Sequence, residues 1–425
     1  MTTRRMEKRF SNLQALALSA LFVGGALVVG CGSDGDDTAT PSAGSAGKAG
    51  SSQAGQSGGG TAGSANGGSG NAAGKGGSST QGGTSPIGEG GAAGEGGAAG
   101  GGVTLGEYAV KQTNLVSDQD GAAFKDPTLL NAWAIAINPT AGVFWISSNH
   151  GGVTPVYGGD GSIKPVHPTV APVTGTDPGP VTGQVFNSTA NFMGDKFIID
   201  TEDGQIMGWA SGAAYTQRAK KDTAIYKGLA TVGTGATELL LAANFHDGSV
   251  DIFDVDYAPV TKADAFVDAT IPAGFAPFNV VPIGDNVYVT YAKQDADKAD
   301  DESGAGNGYV SVFDTAGKYV KTLISGGGLN SPWAVTLAPA GFGVPENALL
   351  VGNFGNGAID AYDKDTGDLV GELTDETGSS LLIQGLWDLK VGPTGTTDLS
   401  GSLYFTAGPG GEAHGIFGKL DPVAK

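Results

Sequence analysis

The sequence predicts an all-β protein, a six-bladed β-propeller of four-stranded antiparallel blades. Three observations carry this. A phrase of short apolar runs separated by turns recurs six times at a spacing of roughly 50 residues, the period of a propeller blade. No stretch keeps apolar residues at helical spacing for three turns. The chain has 75 Gly and 20 Pro in 425 residues, and Gly punctuates the runs too often for long helices. A β-sandwich could use similar strands, but it would need no repeating phrase.

The copies follow in order. The first runs through Asn131-Ala-Trp133-Ala-Ile135-Ala-Ile137 and Val143-Phe-Trp-Ile146 to a loop at Ser147-Ser-Asn149-His150-Gly151. The second has Thr182-Gly-Gln-Val-Phe186, Lys196-Phe-Ile-Ile-Asp200, Glu202-Asp-Gly204 and Gln205-Ile-Met-Gly-Trp209. The third has Tyr226-Lys-Gly-Leu-Ala230, Leu239 to Gly248 and Val250-Asp-Ile-Phe-Asp254. The fourth has Ala276-Pro-Phe-Asn-Val280, Asn286 to Tyr291, an acidic loop and Tyr309 to Asp314. The fifth has Asn330-Ser-Pro-Trp333-Ala-Val335, Ala348 to Gly357 and Ala358 to Asp363. The sixth has Gly385-Leu-Trp387-Asp-Leu389, Ser402 to Ala407, a loop with Glu412 and His414, and Ile416 to Leu420. Tyr108 to Val116 precedes the first copy as an orphan strand. An open ring would leave two unpaired sheet edges, so this strand is expected to pair with Ile416 to Leu420 and close the ring.

Upstream of the propeller, assigned to 103–425, the chain changes character. Residues 1–30 read as a secretory signal, with Arg4, Arg5, Lys8 and Arg9 ahead of an apolar run from Ala15 to Val29 that is short for a membrane span. The run ends at Val28-Val29-Gly30-Cys31, and Cys31 is the chain's single Cys. This resembles the lipobox of bacterial lipoproteins, which implies lipid on Cys31. Several acyl chains hold a protein stably at a membrane where one is marginal. Gly32 after the Cys favours the outer membrane under the best-known sorting rule, with the leaflet left open. From 31 to 102, 27 residues are Gly, none is aromatic, and Ile87 is the one large aliphatic side chain. Such a segment buries too little to offset its ordering entropy, so it is expected to be a coil of reach about 45–50 Å. The G-x-S-x-G string at Ser57 lies inside it. Without a strand before and a helix after, that string is no nucleophile elbow.

Charge narrows the function classes. The 103–425 segment holds 37 acidic and 17 basic side chains, so it carries the whole chain's formal charge of -20. A pI near 4.4 excludes nucleic acid as a partner, because that affinity rests on clustered Lys and Arg. One Cys excludes a disulfide framework and a thiolate zinc cluster.

Asn330-Ser-Pro-Trp-Ala, Leu350-Val-Gly-Asn-Phe-Gly-Asn-Gly357, Gly385-Leu-Trp, Leu403-Tyr-Phe-Thr-Ala-Gly-Pro409, Ala276-Pro-Phe-Asn279 and Glu202-Asp-Gly204 together resemble a family of uncharacterised bacterial secreted proteins. Some of its members end in a PEP-CTERM sorting tail. The resemblance implies a six-bladed, NHL-like propeller and brings no activity with it. This chain shows no such tail, and lipid on Cys31 is expected to do that anchoring.

In such a blade the residues before the innermost strand and those in the loop between the second and third strands reach one mouth of the channel. That rule collects Asn131, Asn149, His150, Glu202, Asp203, Lys227, Asn244, His246, Asp247, Asn279, Tyr291, Asn330, Asn353, Asn356, Asp388, Glu412 and His414. His150, His246 and His414 are three of the four histidines, and neutral imidazoles from separate blades are a possible zinc set. Asn279 and Asp388 suit a Ca²⁺ site lining the channel, although no acidic residue opens the first copy. The run Asp295-Ala-Asp-Lys-Ala-Asp-Asp-Glu302 lacks EF-hand register and reads as a solvated charge run. Trp133, Trp333 and Trp387 start equivalent strands. They read as blade-to-blade packing ahead of an aromatic platform for a sugar or peptide.

The expectation is therefore a monomeric, lipid-anchored propeller of the cell envelope. It binds an extracellular ligand or protein at its mouth and meets the membrane through Cys31. The alternative is a metal-assisted hydrolase or lyase at the same mouth, using His150, His246 and His414 with zinc or calcium.

Overall fold

The structure is a computed structural model, which describes residues 108–395 and 397–424. These lie within one compact unit, Ala93–Lys425. The signal segment, Cys31 and the Gly-rich stretch fall outside the described residues.

Six antiparallel sheets follow one another along the chain. Blade 1 holds Ala132–Asn138, Val143–Ser148 and Val156–Gly158; blade 2 holds Val181–Phe186, Phe197–Thr201, Gln205–Trp209 and Thr216–Lys220. Blade 3 has Tyr226–Val232, Leu239–Asn244 and Ser249–Phe253, and blade 4 has Phe275–Ile283, Asn286–Lys293, Gly308–Asp314 and Tyr319–Ser325. Blade 5 comprises Pro332–Leu337, Leu349–Asn353, Ile359–Tyr362 and Leu369–Glu372, while blade 6 contributes Leu386–Val391, Leu403–Ala407 and Ile416–Ala424. In blades 1 and 3 the fourth strand shrinks to single bridges, Tyr157 to Ile163 and Phe253 to Pro259.

Ring closure follows the expectation. Tyr108–Ser117 runs antiparallel to Ile416–Ala424, from Tyr108 opposite Ala424 to Ser117 opposite Ile416. Phe124–Lys125 adds a short parallel edge outside it. The innermost strand of each blade neighbours that of the next, and Leu386–Val391 neighbours Ala132–Asn138 to complete the circle. Between blades the side chains form separate apolar cores. Phe144 and Phe417 pack between blades 1 and 6, Trp145 and Phe197 between blades 1 and 2, and Val289 and Leu241 between blades 3 and 4.

One irregularity repeats in all six blades. Each innermost strand slips register near its start, between Ala132 and Ile135, Val181 and Gln184, Tyr226 and Gly228, Pro277 and Asn279, Pro332 and Ala334, and Leu386 and Leu389. A bulge re-aims side chains and strands backbone groups without ladder partners. Here it puts Trp133, Lys227, Phe278, Trp333 and Trp387 on the axis. Trp133 stacks on Trp387 at 3.5 Å, and Phe278 and Trp333 lie 5.9 and 6.1 Å from the same ring. Lys227 Nζ sits 5.3 Å over Trp133. Blades 1 and 3, like blades 4 and 6, are not neighbours, so their side chains touch only at the centre. The channel is therefore plugged at this level.

The stranded backbone groups find partners on the next blade, as buried polar groups must. Asp388 Oδ2 accepts from Ile135 N at 2.9 Å, Asn279 donates to Trp333 O at 2.9 Å, and Thr182 donates to Tyr226 O at 2.9 Å. Thr406 donates to Trp133 O. At Gly228 a Cβ would stand 2.2 Å from Asn279 Oδ1, so the close approach of blade 4 requires glycine there.

Candidate functional site

Above the plug, side chains from five blades join in one polar network. Asn131 is fully buried with φ of 47°, a left-handed conformation that Asn tolerates better than most residues. Its Oδ1 accepts from Trp387 Nε1 at 2.8 Å. Its Nδ2 donates to Glu412 Oε2 at 2.7 Å and to Asn149 Oδ1 at 3.3 Å. Asn149 in turn donates to Val181 O and to Glu202 Oε2. Glu202 Oε1 holds Lys227 Nζ at 2.5 Å, and Asp300 Oδ1 lies 3.2 Å from the same ammonium. Lys227 is 2 % exposed and Glu202 8 %, so this ion pair is shut away from water.

Asp300 belongs to the acidic run read above as solvated, and the structure corrects that reading for part of it. The run folds back across the mouth, with Gln294 bridged to Asp301. Gln294 donates to Phe245 O in blade 3, while Gly304 N donates to Asn330 Oδ1 beside blade 5. Asp295 Oδ1 accepts from Ala299 N and fixes the turn. Burial pushes the Asp301 carboxyl up to about 6, with Lys227 pulling down and Glu412 and Asp300 pushing up. Composition treats the run as one charged unit; only Ala299, small and buried, marks where it turns inward.

The remaining candidates divide by place. Asn279 and Asp388 are buried staples between blades. Burial raises the Asp388 carboxyl, with Lys390 opposing. Their hydrogen bonds are spent on Trp333, Val280, Ile135 and Leu389, which leaves the expected Ca²⁺ role without donors. Asn353 accepts from Asn330 N and donates to Asp360, fastening the start of blade 5. Asn244 donates to Asp247 and Asp251, which also hold Lys221. His246 bonds Asp247 in that same rim cluster at 3.2 Å. Against the raising effect of partial burial, Lys221, His246 and Thr223 hold Asp247 at about 2. His414 sits 2.7 Å from Asp118 Oδ2, beside the closing strand, and the His150 backbone donates to Leu130 O.

The imidazoles of His246 and His414 thus each bond a different carboxylate, Asp247 and Asp118. Among the described residues no group of three or more His, Cys, Asp or Glu is arranged to hold a metal ion. The zinc set of His150, His246 and His414 is corrected accordingly. Trp133, Trp333 and Trp387 are at most 2 % exposed, so packing is their role and no platform is offered there.

A second concave feature was missed by the repeat argument. A cleft of about 610 Å³ lies between blades 1 and 2, lined by Trp145, Phe186, Phe197 and Trp209 with Lys164 and Lys196. Its rings come from the second and third strands and from the far end of an inner strand, positions that the repeating phrase does not flag.

The fold and this polar mouth define a closed six-bladed β-propeller. No family model matches the chain. It is 30 % identical over 326 residues to "Uncharacterized protein R648" of Acanthamoeba polyphaga mimivirus, covering 72 % of this chain and 78 % of that protein. The chain belongs to the family of that protein. "Uncharacterized protein L690" of the same virus is 35 % identical over 211 residues, 48 % of this chain and 53 % of that one. Among solved structures, an alpha-L-arabinofuranosidase mutant from Fusarium graminearum has a TM-score of 0.49 at 10 % identity, covering 74 % of this chain and 98 % of its own. The virginiamycin B lyase from Staphylococcus aureus has a TM-score of 0.41 at 10 % identity, covering 74 % and 99 %. Likenesses of this size say nothing of ligand or reaction.

Proposed function

We propose that this chain is an exported, lipid-anchored propeller of the bacterial cell envelope that binds a ligand or protein at its mouth. The lipobox-like ending at Cys31 and the Gly-rich stretch after it support the anchoring half. The observation that carries the binding half is the mouth itself, where the partly exposed carboxylates of Asp300 and Glu412 join the network built around the buried Lys227–Glu202 pair. Their positions are fixed by the network before any partner arrives, and preorganised groups lose little entropy on binding. The plugged channel leaves a shallow polar surface, suited to a protein or polymer that presents hydrogen-bond donors or positive charge. Calorimetric titration of the full chain with a lysine-rich peptide tests this. Saturable binding that weakens with salt and with Glu412→Gln is expected. Equal affinity for an acidic peptide of the same length would defeat it.

One observation favours a second reading, a hydrolase or lyase. Burial raises Asp301 to about 6, and a carboxyl that titrates near neutrality is suited to acid–base chemistry. A hydrolytic activity abolished by Asp301→Asn, in a chain still folded by circular dichroism, would favour this reading over the first.

A further inference from the structure

The cleft between blades 1 and 2 opens at the opposite end of the inner strands from the mouth. Asn138, the last residue of Ala132–Asn138, lines it, whereas Asn131 stands at the mouth. Six residues of strand put about 20 Å between the two places. We propose that this cleft is a separate binding site for the ring of an acidic sugar, a pyranose carrying a carboxylate. The proposal does not depend on the reading of the mouth.

Three features of the cleft support that chemistry. Its wall is aromatic and rigid: Trp145 stacks on Phe197 at 3.7 Å and 17°, Trp209 lies 4.8 Å from Trp145, and Phe186 lies 5.3 Å from Phe197. Trp145 and Phe197 are buried beneath, while Trp209 and Phe186 remain partly accessible. Flat ring faces match the apolar C–H face of a pyranose, and its hydroxyls are left pointing outward to polar groups at the edge. The volume of about 610 Å³ falls within the range of small-molecule sites and would accommodate one or two sugar rings. Charge then selects among sugars. The domain has 37 acidic and 17 basic side chains, yet the ionisable residues lining this cleft are Lys164 and Lys196. Lys164 donates to Ser162 at 2.8 Å and is held at the edge, and Lys196 is exposed. A carboxylate on the ring would meet two ammonium groups, Lys164 with Asp160 nearby and Lys196 in the open, where neutral sugars gain nothing from charge and cationic ones are repelled.

The test is tryptophan-fluorescence and calorimetric titration of the full chain with galacturonic acid oligomers, beside uncharged galactose oligomers of equal length. Saturable quenching by the acidic oligomer is expected, with at least tenfold weaker binding of the neutral one. Lys196→Glu, at an exposed position that leaves folding alone, is expected to weaken binding tenfold or more, and Trp209→Ala to do the same with reduced quenching. Glu302→Gln, an exposed side chain of the acidic loop at the mouth, is expected to leave it unchanged. Equal affinity for the neutral oligomer would overturn the charge selection. No saturation by either, or full affinity in Lys196→Glu, would overturn the site. Loss in Glu302→Gln with affinity retained in Lys196→Glu would move the ligand to the mouth.

Discussion

Replacing Lys227 by Met keeps the aliphatic stem and removes the charge. In the structure the ammonium is 2 % exposed, 2.5 Å from Glu202 and 3.2 Å from Asp300. Glu202 is 8 % exposed, so it would be left as a buried carboxylate without its cation, whereas Asp300 at 32 % is partly relieved by water. Removing one partner of a buried ion pair costs about 3–5 kcal/mol, most of it from the charge left behind. The Glu202 share dominates, and the Asp300 share is reduced by solvent screening. Lys227→Met is therefore expected to lose about 3–5 kcal/mol. The double variant with Glu202→Gln should lose less than the sum of the singles, with a coupling of about 1–3 kcal/mol. Urea unfolding followed by tryptophan fluorescence reads both, since Trp133 lies directly under the ammonium. The loss should change little with added salt, because screening reaches buried pairs poorly. A Lys227→Met variant within about 0.5 kcal/mol of the parent would refute the reasoning that Glu202 is left as an uncompensated buried carboxylate.

Other outcomes follow from the same physics. Trp387→Ala removes the ring that touches Trp133, Phe354, Phe278 and Trp333, and is expected to cost about 3–5 kcal/mol and to erase near-ultraviolet circular dichroism from the plug. Burial raises Asp200 to about 7, and Asp360 and Asp301 to about 6, from an ordinary 3.8. The native state then keeps protons that the unfolded chain has released, so stability should fall as pH rises from about 4 through 7. Thermal melts across that range check the sign, and Asp200→Asn should flatten the upper part. In a bacterial host, metabolic labelling with a fatty acid should tag the chain and fail with Cys31→Ser; label that persists would refute the lipid assignment.

The architecture was legible because it repeats. Six phrases with turn residues between them give six sheets, and the orphan strand at Tyr108 had one edge left to fill. The site was legible only where a residue's place in the repeat determines its place in space, as for Asn131, Asn149 and Glu202. His246 and His414 obey the same repeat but sit at the rim, bound to Asp247 and Asp118, because loop conformation and not strand order decides where their rings point. The bulge in every inner strand has no sequence mark of its own. It nevertheless turns Trp133 and Trp387 inward and recruits Asp388 and Asn279 as staples. Asp300 and Asp301 were hidden in a charge run whose fold depends on contacts with blades 3 and 5. The aromatic cleft went unseen because Trp145 and Trp209 are not at matching repeat positions.

Hydrogen exchange of the full chain, with and without a saturating lysine-rich peptide, addresses the mouth most directly. Protection confined to the loops around 147–152, 201–205, 294–308 and 408–415 is the result this account requires. Protection centred on the outer edges of the blades, or on the cleft beside Trp209, would contradict it.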